Sequence, residues 1–155
     1  MSSESAELLH AIGDASRSLQ AAVDAFDDAV TGLLGINRTD LRCLDELMQA
    51  GEASPAQLAA RLRLTTGSTT TLLDRLERAG YVTRSPDRHD RRKVVVRPTP
   101  LAQQRAMEVY GPVAADGAHA LADFSAGDLE AVLRYLRISR EVQQRHLQRI
   151  RPESD

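Results

Sequence analysis

Residues 65–97 read TTGSTTTLLDRLERAGYVTRSPDRHDRRKVVVR, and this stretch decides how the rest of the chain is organised. It predicts a helix from about Gly67 to Ala79 that opens on small hydroxyl residues. Gly80 ends this helix, because glycine is favoured just beyond a helix C-terminus. Apolar runs at 81–83 and 94–96 then predict two strands joined by a polar turn. The stretch is therefore a helix followed by a basic two-stranded wing.

A shorter helix is predicted immediately before this stretch. Ser54 is placed to cap it, Pro55 occupies its first position, and Gln57 completes a capping box. Only a few residues separate it from the next helix, which is the spacing of a helix-turn-helix. Asn37, with Asp40 three residues later, predicts the start of one more helix upstream.

Amphipathic helices are predicted on both sides of this unit. Apolar residues recur every three or four positions over residues 6–34, as in one long helix. Thr99 and Pro100 predict the start of another helix, which runs to about Ala122. Pro112 lies inside it and removes a main-chain hydrogen bond, so a kink or break is expected there.

Together these patterns predict a mainly α chain with a small β-wing. Residues 37–98 form the predicted winged helix-turn-helix domain, and helical regions at 1–36 and 99–155 flank it; the long helix at 6–34 is a candidate dimer or bundle element. Leu- and Ala-rich composition with only 3% aromatic residues supports a helical core. The longest apolar runs are too short to cross a bilayer and no signal peptide is visible, so a cytoplasmic protein is expected.

Charge is distributed unevenly along the chain. The net charge is −2, yet residues 58–97 hold ten basic and four acidic side chains, a local excess of +6. Such an excess on one segment is typical of a surface that binds a polyanion. A protein-interaction module would leave this excess unexplained. Double-stranded DNA is therefore the predicted partner.

The helix and the wing each predict a way of contacting DNA. A recognition helix enters the major groove by its N-terminal end, where small polar side chains reach base edges. The candidates there are Thr66, Gly67, Ser68, Thr70 and Thr71. Exposed arginines on a narrow wing can enter a minor groove. The candidates there are Arg88, Arg91, Arg92 and Lys93. Read alone, the Thr run could equally cap a solvated helix.

Two motifs closely resemble the winged helix-turn-helix of the MarR (multiple antibiotic resistance regulator) family. They are Leu73-Asp74-Arg75-Leu76-Glu77-Arg78-Ala79-Gly80-Tyr81-Val82-Thr83-Arg84 and Asp90-Arg91-Arg92. The resemblance implies that Arg75 contacts phosphate or supports the helix, and that Asp74 pairs with an arginine of the wing or helix. It also implies that Arg92 enters the minor groove and that Asp90 braces it by an ion pair. Thr71 stands where many relatives carry Arg.

The resemblance further implies a homodimer in which residues 1–36 and 99–155 form the helical dimerisation region. It also implies a repressor that binds a pseudo-palindromic operator and is released by a small aromatic or anionic effector. Relatives commonly bind such effectors in a cleft between the dimerisation helices and the winged unit. Phe26, Leu47 and Tyr110 are the candidate lining residues here. Their other interpretation is plain core packing.

Other function classes have weaker support. A redox sensor acting through Cys43 is the alternative hypothesis, although no second cysteine is present to resolve it. Neither a metal site nor a cofactor is predicted, because the histidines are scattered at positions 10, 89, 119 and 146. No nucleophile–base set or phosphate loop is visible, so an enzyme is not predicted.

Overall fold

A computed structural model describes residues 2–88 and 90–150, so that His89, one of the four scattered histidines, lies outside the described residues. The fold is mainly helical with a small β-wing, which confirms the predicted fold class. Its elements, in chain order, are α1 (Ser3–Leu34), α2 (Arg38–Ala50), α3 (Pro55–Leu62), α4 (Thr66–Arg78), β1 (Val82–Pro86), β2 (Val94–Pro98), α5 (Pro100–Ala120) and α6 (Ala126–Ile150). Two compact units divide between Tyr110 and Gly111.

Local capping residues set the helix boundaries near the predicted positions. In α2 the Asp40 N–H donates to Asn37 Oδ1 at 2.9 Å, and the Asn37 N–H donates to Asp40 Oδ2 at 3.1 Å. Ser54 and Gln57 form the same reciprocal pair at the start of α3. Gly80, with φ of 78°, occupies the left-handed region beyond α4. These bonds satisfy N–H groups that a helix end leaves without partners.

The core of the first unit lies between α2, α3, α4 and the wing. Leu72, Leu73 and Leu76 of α4 are buried, as their spacing predicts. They pack with residues of the other elements, among them Leu47, Leu58, Val82 and Val96. Full burial of each such side chain contributes about 1.5–3 kcal/mol. This packing fixes which face of α4 remains exposed.

The wing is an antiparallel pair in which Val82 lies opposite Pro98 and Pro86 lies opposite Val94. A third segment joins it, because Ala53 and Val96 exchange main-chain hydrogen bonds of 3.1 and 2.8 Å. No pattern in the sequence predicts this bridge. It ties the loop before α3 to the wing strand β2.

Thr99 caps α5 and joins it to the end of α4. Its hydroxyl donates to the Gly80 carbonyl at 2.6 Å and accepts the Ala102 N–H at 3.2 Å. The helix continues through Pro112, so the predicted break does not occur. No helix within residues 2–88 and 90–150 combines the length and apolarity needed to span a bilayer.

Candidate nucleic-acid interface

The predicted α4 residues lie together on an exposed surface at the N-terminal half of the helix. We call this surface the Thr face, and it consists of Thr66, Gly67, Ser68, Thr70 and Thr71. Thr65 precedes it as the cap, and its hydroxyl accepts the Ser68 N–H at 3.2 Å. Thr69 points the other way and is 2% exposed. The core packing of α4 therefore presents the Thr face outward.

Hydroxyl hydrogens of the Thr face are partly used within the helix. Thr70 Oγ1 donates to the Thr66 carbonyl at 3.0 Å, and Thr71 Oγ1 donates to the Gly67 carbonyl at 3.2 Å. Gly67 adds no side chain to this surface, and the space that a Cβ would fill there, which we call the notch, is open, with no neighbour within 4 Å. A flat partner such as a DNA edge can therefore approach the backbone closely at this point.

The wing tip, which we define as residues 87, 88 and 90–93, is ordered by its own main-chain bonds. The Asp87 N–H donates to the Lys93 carbonyl at 2.8 Å, and the Lys93 N–H donates to the Asp90 carbonyl at 2.9 Å. The Asp90 N–H donates to Asp87 Oδ1 at 3.0 Å. These bonds hold the backbone that carries the wing arginines.

Asp90 braces the wing tip in a different way from the one predicted. Its Oδ1 accepts the main-chain N–H of Arg92 at 3.1 Å, and its Oδ2 lies 3.7 Å from Lys93 Nζ. The predicted ion pair with the Arg92 guanidinium is wrong, because the carboxylate is already engaged by the tight turn. Among the described residues, the exposed side chains of Arg88, Arg91 and Arg92 have no carboxylate partner. Their charge faces outward.

Several basic residues outside the wing tip are neutralised by ion pairs. Arg61 pairs with Glu46 at 3.3 Å, and Arg97 pairs with Glu52 at 2.5 Å. The acidic partners Glu46 and Glu52 lie outside the segment whose charge was counted. Ion pairing therefore removes only part of the basic excess: in the described part of the chain, Arg63, Arg78 and the wing-tip arginines keep no carboxylate partner.

Arg75 forms a two-pronged ion pair with the fully buried Asp40. Its Nε and Nη2 donate to Asp40 Oδ2 and Oδ1 at 2.7 and 2.6 Å. These hydrogen bonds raise the pKa of Arg75. Of the two predicted roles, the geometry favours support of the helix, because Nε and Nη2 hold the buried Asp40 of α2 in a two-pronged pair.

Arg84 of β1 fastens the wing to α4. Its Nη2 lies 2.6 Å from Asp74 Oδ1 and 2.5 Å from Glu77 Oε2, and its Nε donates to Glu77 at 3.0 Å. The bond from Arg84 lowers the pKa of Glu77. The family resemblance predicts a pairing for Asp74 but not the one for Glu77. The sequence did contain a signal for this second pairing, because the three-residue spacing of Asp74 and Glu77 places both acids on one helical face.

The three predicted effector residues do not share the cavity that lies beside Tyr110. A cavity of about 20 Å³ is lined by residues of α1, α2 and α5, including Tyr110 but neither Phe26 nor Leu47. The prediction that Leu47 lines an effector pocket is wrong, since its side chain is 0% exposed within the core and offers no surface to a ligand. Phe26 packs edge-on against Tyr110, with ring centroids 5.7 Å apart. The cavity has room for about one water molecule.

Cys43 lies in the core of the first unit and is 0% exposed. Burial, followed by the negative charges of Asp40 and Glu46, raises the pKa of the Cys43 thiol to about 12. The thiolate is the reactive form of cysteine. The folded protein therefore disfavours the chemistry that the redox hypothesis requires.

Comparison with known proteins decides the family. The sequence profile of the MarR family matches residues 36–94, which run from the start of α2 into the wing. The HTH-type transcriptional regulator YcgE of Bacillus subtilis is 30% identical over 135 residues, which cover 87% of this chain and 88% of YcgE. This chain belongs to the MarR family. The MarR-family chain is a transcriptional regulator, and its relatives form a non-enzymatic class.

Solved structures share the fold of this MarR-family chain. A MarR family protein from Bacillus stearothermophilus superposes with a TM-score of 0.62 at 24% identity, over 95% of this chain and 99% of its own. The transcriptional regulator Tm0710 from Thermotoga maritima gives a TM-score of 0.63 at 23% identity, over 89% and 97%. The winged helix-turn-helix with flanking helices is therefore a fold that is shared with solved structures.

Proposed function

We propose that this MarR-family regulator is a homodimeric repressor that binds a pseudo-palindromic DNA operator. The observation that carries the proposal is the division of charge on the winged unit. Arg61, Arg75, Arg84 and Arg97 are held in ion pairs, whereas Arg88, Arg91 and Arg92 project from the wing tip without a carboxylate among the described residues. A protein that maintains exposed cations beside a polar helix end is suited to a polyanion.

In the proposed complex the Thr face enters the major groove and the wing tip enters the adjacent minor groove. The Thr face carries small side chains and the notch at Gly67, which permit close approach to base edges. Arg92 is the foremost minor-groove candidate, since Asp90 orders its backbone and leaves its guanidinium available. Arg75 and Arg84 support this arrangement from within the protein.

A second copy of the chain is the proposed partner of the long helices. In α6, a helix of 25 residues, none is buried, although Leu129, Leu133 and Leu136 are apolar. In α1 only Val30 is buried, and Leu8 and Leu19 are about 60% exposed. Apolar surface of this extent normally marks an interface. Two copies would present two Thr faces to half-sites about one DNA turn apart.

Release by a small effector would require the cavity beside Tyr110 to open. The cavity beside Tyr110 is too small for an aromatic molecule as it stands, so an effector would have to favour a conformation in which it opens. A ligand that binds that conformation more tightly would shift the population away from the DNA-binding form. Screening for compounds that displace a bound duplex tests this step.

The proposed function is tested by selecting bound duplexes from a random pool and measuring their affinity. We expect a palindromic consensus, and an affinity that falls as salt rises because bound phosphates release counterions. Replacing Arg92 with alanine should weaken binding about tenfold or more. Arg17→Ala is the matched control, since it removes one cation from the acidic helix α1. Failure to enrich any sequence, or equal affinities for wild type and Arg92→Ala, would contradict the proposal.

A further inference from the structure

Two residues of the Thr face can offer a partner a methyl group and a hydrogen-bond acceptor, but no free hydroxyl hydrogen. Thr70 and Thr71 are exposed, yet each donates its hydroxyl hydrogen to the carbonyl four residues earlier, at 3.0 and 3.2 Å. Once that hydrogen is committed, the side chain retains a methyl group and oxygen lone pairs. Neither residue can donate to a base without breaking a bond within the helix.

The same half of α4 lacks the side chains that usually discriminate purines. Residues 66–71 contain no Arg, Lys, Asn or Gln. The next cation along the helix is Arg75, and its Nε and Nη2 are both bound to Asp40. Residues 66–71 therefore supply no bidentate contact to guanine or adenine. What remains in the major groove for a methyl group to read is the C5 methyl of thymine.

We propose that Thr70 and Thr71 set operator preference by packing their methyl groups against thymine methyl groups in the major groove. This inference rests on the proposed DNA-binding function and specifies what the recognition helix reads. It makes these two threonines specificity-determining residues. The wing tip would supply affinity and minor-groove shape reading, while α4 would select thymine at the positions it faces.

The test compares thymine with uracil, which lacks only the C5 methyl. A duplex enriched from a random pool is synthesised in two forms, one with thymine and one with uracil throughout, and both affinities are measured. Loss of one buried methyl contact corresponds to about a fourfold weaker affinity. One contact in each half-site would therefore give about a fifteenfold ratio, and contacts from both threonines in each half-site about a two-hundredfold ratio. Equal affinities of the wild type for the two duplexes would overturn the inference.

Substitutions at the two threonines identify the group responsible. Thr70→Ser and Thr71→Ser keep the hydroxyl and remove the methyl, so the double variant should bring the thymine-to-uracil ratio close to one. Thr70→Val and Thr71→Val keep a methyl in the same place and remove the hydroxyl, so the ratio should persist even where both affinities change. The opposite pattern would overturn the inference in favour of hydroxyl reading. Circular dichroism verifies that each variant retains its helix content.

The wing provides the control for effects of uracil on DNA shape. Arg92→Ala should lower the affinity for both duplexes while leaving their ratio intact. A ratio that disappears in Arg92→Ala would assign the effect to the minor groove and overturn the inference. If binding depends on salt but the thymine and uracil duplexes bind equally well, only the inference that Thr70 and Thr71 read thymine methyl groups is refuted. Absence of any salt-dependent DNA binding refutes the proposed function, and this inference with it.

Discussion

Removing the Arg75 guanidinium should mainly lower the free energy of unfolding, rather than remove a direct contact with DNA. Arg75→Ala leaves the carboxylate of Asp40 without its two strongest donors, and Asp40 is 0% exposed. Breaking a buried ion pair from one side costs about 3–5 kcal/mol. The Arg75 side chain is itself 39% exposed, so that water can enter beside Asp40. We therefore expect a loss of about 2–3 kcal/mol in the free energy of unfolding.

Urea unfolding followed by far-UV circular dichroism measures this loss at one fixed protein concentration, because the proposed dimerisation would make stability depend on concentration. Arg78→Ala is the matched control. Arg78 lies on the same helix and its Nε donates only to the Asp74 carbonyl, so we expect a change below about 0.5 kcal/mol. The double variant Asp40→Ala, Arg75→Ala should lose less stability than the two single losses combined, because it leaves no buried charge unpaired.

One result would refute this assignment of Arg75. If Arg75→Ala unfolded at the same urea concentration as wild type but bound an enriched duplex much more weakly, Arg75 would be a phosphate contact. The ion pair with Asp40 would then be incidental. A loss of stability that appears in Arg75→Ala and equally in Arg78→Ala would also contradict the reasoning, since it would not depend on Asp40.

Three further predictions follow from single contacts. Gly67→Ala should stabilise the helix by up to about 1 kcal/mol yet weaken DNA binding by filling the notch, and thermal melting with fluorescence anisotropy would detect both; unchanged affinity would mean that DNA does not approach there. The bond from Arg84 lowers the folded-state pKa of Glu77, so its stabilising effect is complete above the ordinary value of 4.5 and is lost as pH falls through the lower folded-state value. Acid melting curves should therefore fall more steeply for wild type than for Glu77→Gln, and parallel curves would exclude this link. With its pKa raised to about 12 by burial, Cys43 should react with thiol reagents only as fast as the protein opens, and rapid labelling of the native protein would revive the redox hypothesis.

Local signals explain why so much of the fold could be predicted. The capping pairs at Asn37 and Ser54 and the glycine at position 80 act over three or four residues, so their physics is contained in the sequence. The inward face of α4 follows in the same way from helical periodicity. Basic residues clustered between two short apolar runs are likewise a local pattern, and they indicate a wing. The family motifs then indicate which partner such a unit binds.

Pairings between distant residues were beyond the reach of the sequence. Asp40 and Arg75 are 35 positions apart, and nothing near either of them indicates that one neutralises the other. The bridge from Ala53 to Val96 likewise depends on how α3 and the wing pack.

The sequence by itself determined the winged helix-turn-helix, its basic character and its family. Only the tertiary structure decided which arginines are held in ion pairs. It also decided that Asp90 orders the wing backbone while Leu47 is core. The physical reason is that ion pairing and burial depend on which surfaces meet after folding, whereas caps and periodicity are complete within a single helix.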